Sequence, residues 1–236
     1  MNVLLLRPVP GNERLGLGPF FRVEPLGMEY VAAALEAAGH HVTLADLRFG
    51  RSLEYYMARA RPGLVGIAAM HALETDEVLA LAAAVRKLAP GIPVVIGGHT
   101  AAAYPAPFLS PDVSAVDVDD GEQVMPRLCD GVAKGGGINC VPGLAVRGTD
   151  GQHVRTGPAD SFVLDRVPLP ARVHVNRWRN RYACLAHRPV WLIETARGCP
   201  FRCSFCSIWQ LHSRKVRDRS IESVASDFES VGDHVF

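Results

Sequence analysis

The feature that most constrains the fold is an alternation of short apolar runs with longer segments of helical periodicity over residues 1 to 135. The apolar runs read as strands, and they are NVLLLRPVP, HVTLADL, LVGIAAM, IPVVIGG and a weaker fifth, VSAVDVDD. The intervening segments place apolar residues at helical spacing, as in MEYVAAALEAAG, where Gly39 stands at the position of a C-terminal cap. Because parallel strands need crossover connections, this order predicts a doubly wound parallel α/β sheet.

A glycine-rich stretch, GGGINCVPG, predicts a boundary after this unit. We therefore expect an α/β domain over 1–137, a hairpin and connector over 138–189, and the beginning of a second domain over 190–236. The hairpin, GLAVRGTDGQHVRTG, is predicted to turn at Asp150–Gly151. In the last part, PVWLIETARGC reads as a strand, and SIESVASDFESVGDHVF as a helix capped by Ser220 with the opening of another strand. A lone βα unit cannot bury its sheet faces, so we expect this sequence to be a fragment of a longer protein.

Charge and hydropathy exclude several classes of protein. The chain has 25 Lys and Arg residues against 24 Asp and Glu residues. This balance argues against a nucleic-acid binder that relies on a basic surface. No apolar run approaches the roughly 20 residues that span a bilayer, and MNVLLLRPVP is too short in its apolar part for a signal peptide. We expect a cytoplasmic protein with no nucleic-acid partner and no transmembrane segment.

Three of the six cysteines lie within eight positions, in RGCPFRCSFC, as Cys199, Cys203 and Cys206. The other three are scattered and are expected to be ordinary small residues. Closely spaced thiolates in a reduced compartment bind metal. Structural zinc prefers four ligands, and only His212 offers a fourth nearby. The alternative is an iron–sulfur cluster in which one iron lacks a protein thiolate, with Phe205 shielding one side from water.

The cysteine motif also carries a family resemblance. CPFRCSFC, which follows a predicted strand directly, resembles the signature of the radical S-adenosylmethionine superfamily. The resemblance implies that Cys199, Cys203 and Cys206 hold a [4Fe–4S] cluster, whose fourth iron chelates S-adenosylmethionine with Phe205 near the adenine. It further implies an electron donor such as flavodoxin or ferredoxin. The last part of the chain would then begin a partial (β/α)6 barrel whose later strands are not in this sequence.

The order of features along the whole chain extends this resemblance. A flavodoxin-like domain with RPGLVGIAAM, PVVIGGHTAAAYP and DDGE, placed before the cysteines, resembles cobalamin-binding radical S-adenosylmethionine enzymes. The resemblance implies cobalamin at the carboxyl ends of the strands, with its nucleotide tail beside Gly97 and Gly98. His71 and His99 on the strand ends, and Glu122 at a helix start, are candidate cofactor contacts. Each has a second interpretation, as a hydrogen-bonded loop histidine or an exposed helix-start carboxylate.

Two further expectations follow from this family. The loop after the first strand, RPVPGNERLG, contains no histidine, so we expect cobalamin without a histidine ligand from that loop. Arginines between residues 172 and 219 are expected to face an anionic substrate or, in most cases, to be solvated in the connector. The tryptophans are expected to pack in the protein.

The chemistry that the resemblance implies is methylation of an unactivated carbon, through a 5′-deoxyadenosyl radical and methylcobalamin. FFRVEPLGMEYVAAALEAAGHHVTLADLRFG resembles the hopanoid C-3 methylase branch. The substrate is expected to be a small molecule or a lipid. The alternatives are a cyclase or rearrangement enzyme with the same cofactors, a non-catalytic cobalamin- or cluster-binding module, and a zinc-stabilised α/β protein.

Overall fold

The structure is a computed structural model that describes residues 1–11, 20–148, 152–160 and 162–231. The strands of this part are β1 (Asn2–Arg7), β2 (Phe21–Arg22), β3 (His41–Asp46), β4 (Leu64–Ala68), β5 (Val94–Gly97), β6 (Ala115–Asp117), β7 (Leu144–Arg147), β8 (His153–Arg155), β9 (Ala183–Cys184), β10 (Ala196–Gly198) and β11 (Val216–Asp218). Its α-helices are α1 (Leu26–Ala37), α2 (Leu53–Ala60), α3 (Thr75–Leu88), α4 (His99–Ala103), α5 (Gly121–Ala133), α6 (Ile208–Leu211) and α7 (Ile221–Ser230).

One large sheet organises the molecule, in the strand order β3-β1-β4-β5-β6-β7-β8. The first five of these strands are parallel to one another. Their order is the flavodoxin-like one, and it reverses direction between β1 and β4, where ligands of such sheets bind. The predicted doubly wound parallel α/β sheet is therefore confirmed.

The predicted hairpin belongs to this sheet. Strand β7 pairs antiparallel with β6, with Val116 opposite Ala145, and β8 continues the sheet beside β7. The sheet thus extends beyond residue 137, where the sequence predicted the end of the first domain. The turn predicted at Asp150–Gly151 lies outside the described residues.

The alternating side chains of the central strands divide the core into two layers. Val3 and Leu5 of β1 pack with residues of α1 and α5, whereas Leu4 and Leu6 pack on the other face with residues of α2 and α3. The connector contributes to the first layer, because Trp178 and Tyr182, among others, are buried in it. The expectation that Trp178 packs in the protein is confirmed.

Several arginines of the connector and the last part are ion-paired with acids of the sheet domain. Arg172 and Arg219 are each only 7% exposed. Arg172 pairs with Asp227 and lies 3.8 Å from Glu24, and Arg179 also pairs with Glu24. The expectation that these side chains are solvated is wrong: buried carboxylates on distant elements neutralise Arg172 and Arg179, and Arg219 donates to the Tyr30 hydroxyl.

The strand predicted from PVWLIETARGC is shorter than expected and is not parallel. Only Ala196–Gly198 forms a strand, and it pairs antiparallel with β11. Upstream of this strand, side chains form hydrogen bonds with both backbone groups of Leu192. Its amide donates to Glu24 Oε1 at 2.7 Å, and its carbonyl accepts from Arg172 at 2.8 Å. These backbone groups therefore have partners outside a β-ladder.

The helix predicted after the cysteines is present as α7, and its predicted cap is confirmed. The Ser220 hydroxyl accepts a hydrogen bond from the Ser223 amide at 3.1 Å. The strand predicted to follow α7 lies outside the described residues. Among the helices of the described ranges, none combines the length and apolar character needed to cross a bilayer.

Candidate cofactor site

The carboxyl ends of the parallel strands form one edge of the sheet, which positions the predicted cofactor residues. Three apolar side chains in the segments after β1 and β4 are exposed; they are Val9, Met70 and Leu73. Leu73 is the most exposed of them, at 77%. Exposed apolar side chains at such an edge are candidate contacts for a ligand. Their position beside the switch point between β1 and β4 fits a large, partly apolar ligand such as cobalamin.

The glycine pair at the end of β5 is held by contacts with Ala69, which directly follows β4. Gly98 has a φ of +105°, and a Cβ on it would lie 2.7 Å from the Ala69 carbonyl oxygen. The Ala69 amide in turn donates to the Gly97 carbonyl at 2.7 Å. A side chain at Gly98 would therefore separate the ends of β4 and β5. Glycine at position 98 therefore lets the ends of β4 and β5 remain adjacent at the edge where cobalamin is predicted to bind.

The two candidate histidines lie at the same edge in different surroundings. His71 is exposed and precedes a short 3-10 turn, Ala72–Glu74. His99 begins α4, which packs against α6 from the cysteine part of the chain. Desolvation and then the positive charge of Arg197 lower the pKa of His99. His99 therefore favours the neutral imidazole, and it lies where the sheet domain meets the cysteine part.

A buried carboxylate at this edge was missed by the sequence reasoning. Asp117, the last residue of β6, is 5% exposed, and its Oδ1 accepts a hydrogen bond from the Asp119 amide at 3.1 Å. Burial is the main cause that raises the pKa of Asp117 well above its usual value, and nearby acids such as Glu122 add to it. Its place at the end of a predicted parallel strand is the sequence signal that could have identified it.

The three predicted ligands lie on one loop as free thiols. Cys199 and Cys206 are half-buried and Cys203 is exposed. The Cys206 amide and the Trp209 indole both donate to the Cys203 carbonyl, at 3.1 and 3.2 Å. In the described ranges, no three His, Cys, Asp or Glu side chains are grouped closely enough to hold a single metal ion. Three thiols on a short loop do suit a multi-iron cluster, which spreads its ligands over separate iron atoms.

The zinc alternative needs a fourth ligand, and His212 is poorly placed to supply it. Its Nδ1 lies 3.3 Å from Arg217 Nη2. Since a guanidinium only donates, this ring nitrogen accepts that hydrogen bond. Desolvation lowers the pKa of His212, so the ring favours the neutral form, and with Nδ1 accepting it carries its proton on Nε2, which leaves that nitrogen without a lone pair for zinc. The positive charge of Arg217 would oppose a second cation beside this ring.

Aromatic rings beside the thiols are exposed. Phe205 is 91% exposed and Phe201 is 71% exposed. The prediction that Phe205 shields the cluster from water therefore finds no support in its burial. A ring this accessible offers a face for a flat ligand, which is compatible with its predicted place near an adenine.

The glycine before the first cysteine is required by a close backbone approach. Gly198 has a φ of +103°, and a Cβ on it would lie 2.0 Å from the Lys215 carbonyl oxygen. The loop of residues 199 to 215 thus begins at the end of β10 and ends at the start of β11, where the two strands lie close together. We call this point the base of the cysteine loop. This closeness places the loop that carries the thiols directly on the two-stranded ladder.

Ion pairs join this ladder to the carboxyl edge of the sheet. Arg197, two positions before Cys199, donates to both oxygens of Glu122, at 2.8 and 3.3 Å, and to Asp120 at 2.7 Å. Glu122, predicted as a cofactor contact, thus has its carboxylate engaged by Arg197. Sequence reasoning missed the partnership, since nothing in a single sequence pairs residues 75 and 77 positions apart.

Comparison with known proteins agrees with this arrangement. Residues 19–129 match the B12 binding domain family. The chain is 33% identical over 223 residues to the hopanoid C-3 methylase of Methylococcus capsulatus, covering 90% of this chain and 41% of that protein. It is 30% identical over 244 residues to the anaerobic magnesium-protoporphyrin IX monomethyl ester cyclase of Rubrivivax gelatinosus, covering 97% of this chain and 42% of that protein. The chain spans less than half the length of these relatives.

A solved structure shares the fold across nearly the whole chain. The radical S-adenosylmethionine methyltransferase TsrM from Kitasatospora setae, solved with cobalamin and a [4Fe–4S] cluster, superposes with a TM-score of 0.78 at 23% identity. The match covers 97% of this chain and 46% of TsrM. Residues 19–129 are therefore similar to the B12 binding domain family, the chain is similar to a hopanoid C-3 methylase, and it shares its fold with the methyltransferase TsrM.

Proposed function

We propose that the whole protein is a cobalamin-dependent radical S-adenosylmethionine enzyme that methylates an unactivated carbon. The observation that carries this proposal is the contact between Arg197, beside the cysteine loop, and the acidic residues at the carboxyl edge of the B12-binding domain. This contact holds a three-thiol loop at the edge where such a sheet binds its ligand. One chain thus presents two cofactor sites to a shared space.

The residues have separate roles in this proposal. Cys199, Cys203 and Cys206 hold a [4Fe–4S] cluster, and three thiolates leave one iron free for S-adenosylmethionine. Gly97 and Gly98 keep the strand ends bare beside cobalamin. When bound, the cluster and S-adenosylmethionine supply a 5′-deoxyadenosyl radical, and cobalamin carries the methyl group.

Other side chains hold protons or orient ligands at this edge. Asp117 retains its proton to higher pH than an ordinary aspartate, so it serves as a hydrogen-bond donor towards the cofactor edge. His71 and His99 contact cobalamin from the ends of β4 and β5, and the neutral form of His99 offers one donor and one acceptor. Phe205 lies near the adenine of S-adenosylmethionine.

The partners complete the proposal at the level of chemical class. The substrate is a small molecule or a lipid, and a flavodoxin or ferredoxin supplies the electron. The enzyme works in the cytoplasm. A second candidate function is cyclisation with the same cofactors, and it is favoured by the 30% identity with the magnesium-protoporphyrin IX monomethyl ester cyclase.

The test is anaerobic purification with iron and cobalamin supplied, followed by metal analysis and absorption spectroscopy. We expect brown protein with about four irons per chain and bound cobalamin, and we expect Cys203→Ala to lose the iron. Cys140→Ala, which removes an exposed cysteine outside the loop, is the matched control and should keep it. Zinc without iron or cobalamin would refute the proposal. Iron without cobalamin would overturn the assignment of the first domain.

A further inference from the structure

Two arginines face each other at the base of the cysteine loop. In the β10–β11 ladder, Arg197 lies directly opposite Arg217. Like charges in this arrangement repel and destabilise a strand pair. Both guanidinium groups turn to Asp120: Arg197 Nη1 lies 2.7 Å from Oδ1, and Arg217 Nη1 lies 2.6 Å from Oδ2. A single carboxylate of the sheet domain therefore bridges the two strands that enter and leave the cysteine loop.

The carboxylate of Asp120 has no competing structural duty in its own helix. Asp120 precedes α5 at the cap position, yet its side chain makes no capping hydrogen bond there. Burial would raise the pKa of Asp120, but the hydrogen bond from Arg217 and the charge of Arg197 outweigh it and lower the pKa. The side chain is 12% exposed, so these bonds form in a largely desolvated place where ionic hydrogen bonds are strong.

The remaining charges of the cluster lie around Arg197. Its Nη2 donates to Glu122 Oε1 at 2.8 Å and to Glu194 Oε1 at 2.9 Å. Arg217, by contrast, reaches no carboxylate but Asp120 within the described residues. Loss of Asp120 would consequently leave Arg217 without an ionic partner and facing a second guanidinium. Among the three acids, only Asp120 forms ion pairs with arginines of both strands.

We propose that Asp120 is a positioning residue, whose carboxylate closes the base of the cysteine loop and fixes that loop on the carboxyl edge of the B12-binding domain. The backbones of Gly198 and Lys215 lie very close together. A contact that restrains one of the two strands should therefore restrain the other as well. The identities of the two cofactors rest on the proposed function. The closure of the base by Asp120 does not.

The first experiment measures amide hydrogen exchange in the whole chain without cofactors. Asp120→Asn keeps the size of the side chain and removes its charge. We expect exchange in β10 and β11 to accelerate by about tenfold, the scale of one lost charge-assisted hydrogen bond, while β5 is unchanged. Arg127→Met is the matched control, because Arg127 lies on the same helix in an exposed pair with Asp160. Unchanged exchange of β10 and β11 in Asp120→Asn would overturn the proposal.

The second experiment separates positioning from simple stability. In protein loaded with cobalamin and reduced cluster, paramagnetic cobalt and the cluster couple magnetically with a strength that depends on their separation. We expect Asp120→Asn to bind both cofactors as the parent does, with a weaker and broader coupling. Asp120→Glu, which keeps a carboxylate, should restore most of it.

The outcomes of the two experiments are distinguishable. Full cofactor loading with an unchanged coupling in Asp120→Asn would overturn the positioning role. A parent protein that takes up neither iron nor cobalamin would refute the proposed function. The hydrogen exchange of β10 and β11 would in that case still decide whether Asp120 closes the base of the loop.

Discussion

Arg172 and Asp227 form a buried ion pair that joins the connector to α7 across 55 positions of the sequence. Arg172 Nη1 lies 2.5 Å from Asp227 Oδ1, and its Nη2 lies 3.4 Å from Oδ2. The Tyr30 hydroxyl of α1 also donates to Asp227, at 3.5 Å. The side chain of Asp227 is fully buried and that of Arg172 nearly so. This pair therefore connects three separate parts of the chain at one point.

Removal of one partner of this pair should be costly. We expect Asp227→Ala to lower the free energy of unfolding by about 3–5 kcal/mol, because it leaves the Arg172 guanidinium buried beside fewer acceptors. Urea unfolding followed by circular dichroism measures the change. Arg127→Met removes one partner of an exposed pair and should change the free energy by less than about 1 kcal/mol. Equal effects of the two variants would contradict the structural role assigned to the buried pair.

Local pattern was enough to predict the five parallel strands of the sheet. Each parallel strand is a short apolar run, and the crossovers carry helical periodicity, so the parallel strands between Asn2 and Asp117 could be located from the sequence. The cysteine motif was equally local. Its three thiols are found on one loop because their spacing alone places them there.

Pairings between distant parts of the chain could not be predicted. Nothing in the sequence indicates that Asp120 and Glu122 pair with Arg197, and only the folded chain brings them together. The same limit explains the short β10. Nothing in the sequence near Leu192 indicates that the Leu192 amide donates to Glu24 and not to a neighbouring strand.

Glu29 gives a pH dependence with a definite sign. Its carboxylate is fully buried, and neither oxygen has a hydrogen-bond partner in the described part of the chain. Burial and then the charge of Glu24 raise the pKa of Glu29 to about 8. Below the ordinary carboxyl pKa both the folded and the unfolded chain are protonated, and the folded form is not penalised. Between that pKa and about 8, the folded chain holds the proton that the unfolded chain releases, so stability falls as pH rises.

The variant Glu29→Gln should remove this slope. We expect the parent and Glu29→Gln to differ little near pH 5, and Glu29→Gln to gain relative stability at up to about 1.4 kcal/mol per pH unit on the way to pH 8. Urea midpoints measured across this range test the expectation. A constant difference between the two proteins at every pH would show that Glu29 ionises normally in the folded chain.

Gly198 should be intolerant of any side chain, and the effect should fall on iron binding. In Gly198→Ala the new Cβ would lie 2.0 Å from the Lys215 carbonyl oxygen, on a backbone with φ +103°. The strands β10 and β11 would have to separate, which spreads the base of the cysteine loop.

Gly157→Ala is the matched control, because Gly157 has a similar φ of +107° and its added Cβ meets nothing within 4 Å. Both variants carry the strain of a positive φ, about 1–2 kcal/mol, and only the first adds the overlap with Lys215. After reconstitution we therefore expect Gly198→Ala to lose most of its iron with cobalamin binding retained, and Gly157→Ala to keep both. Equal iron contents in the two variants would mean that the narrow base of the loop does not set the geometry of the thiols.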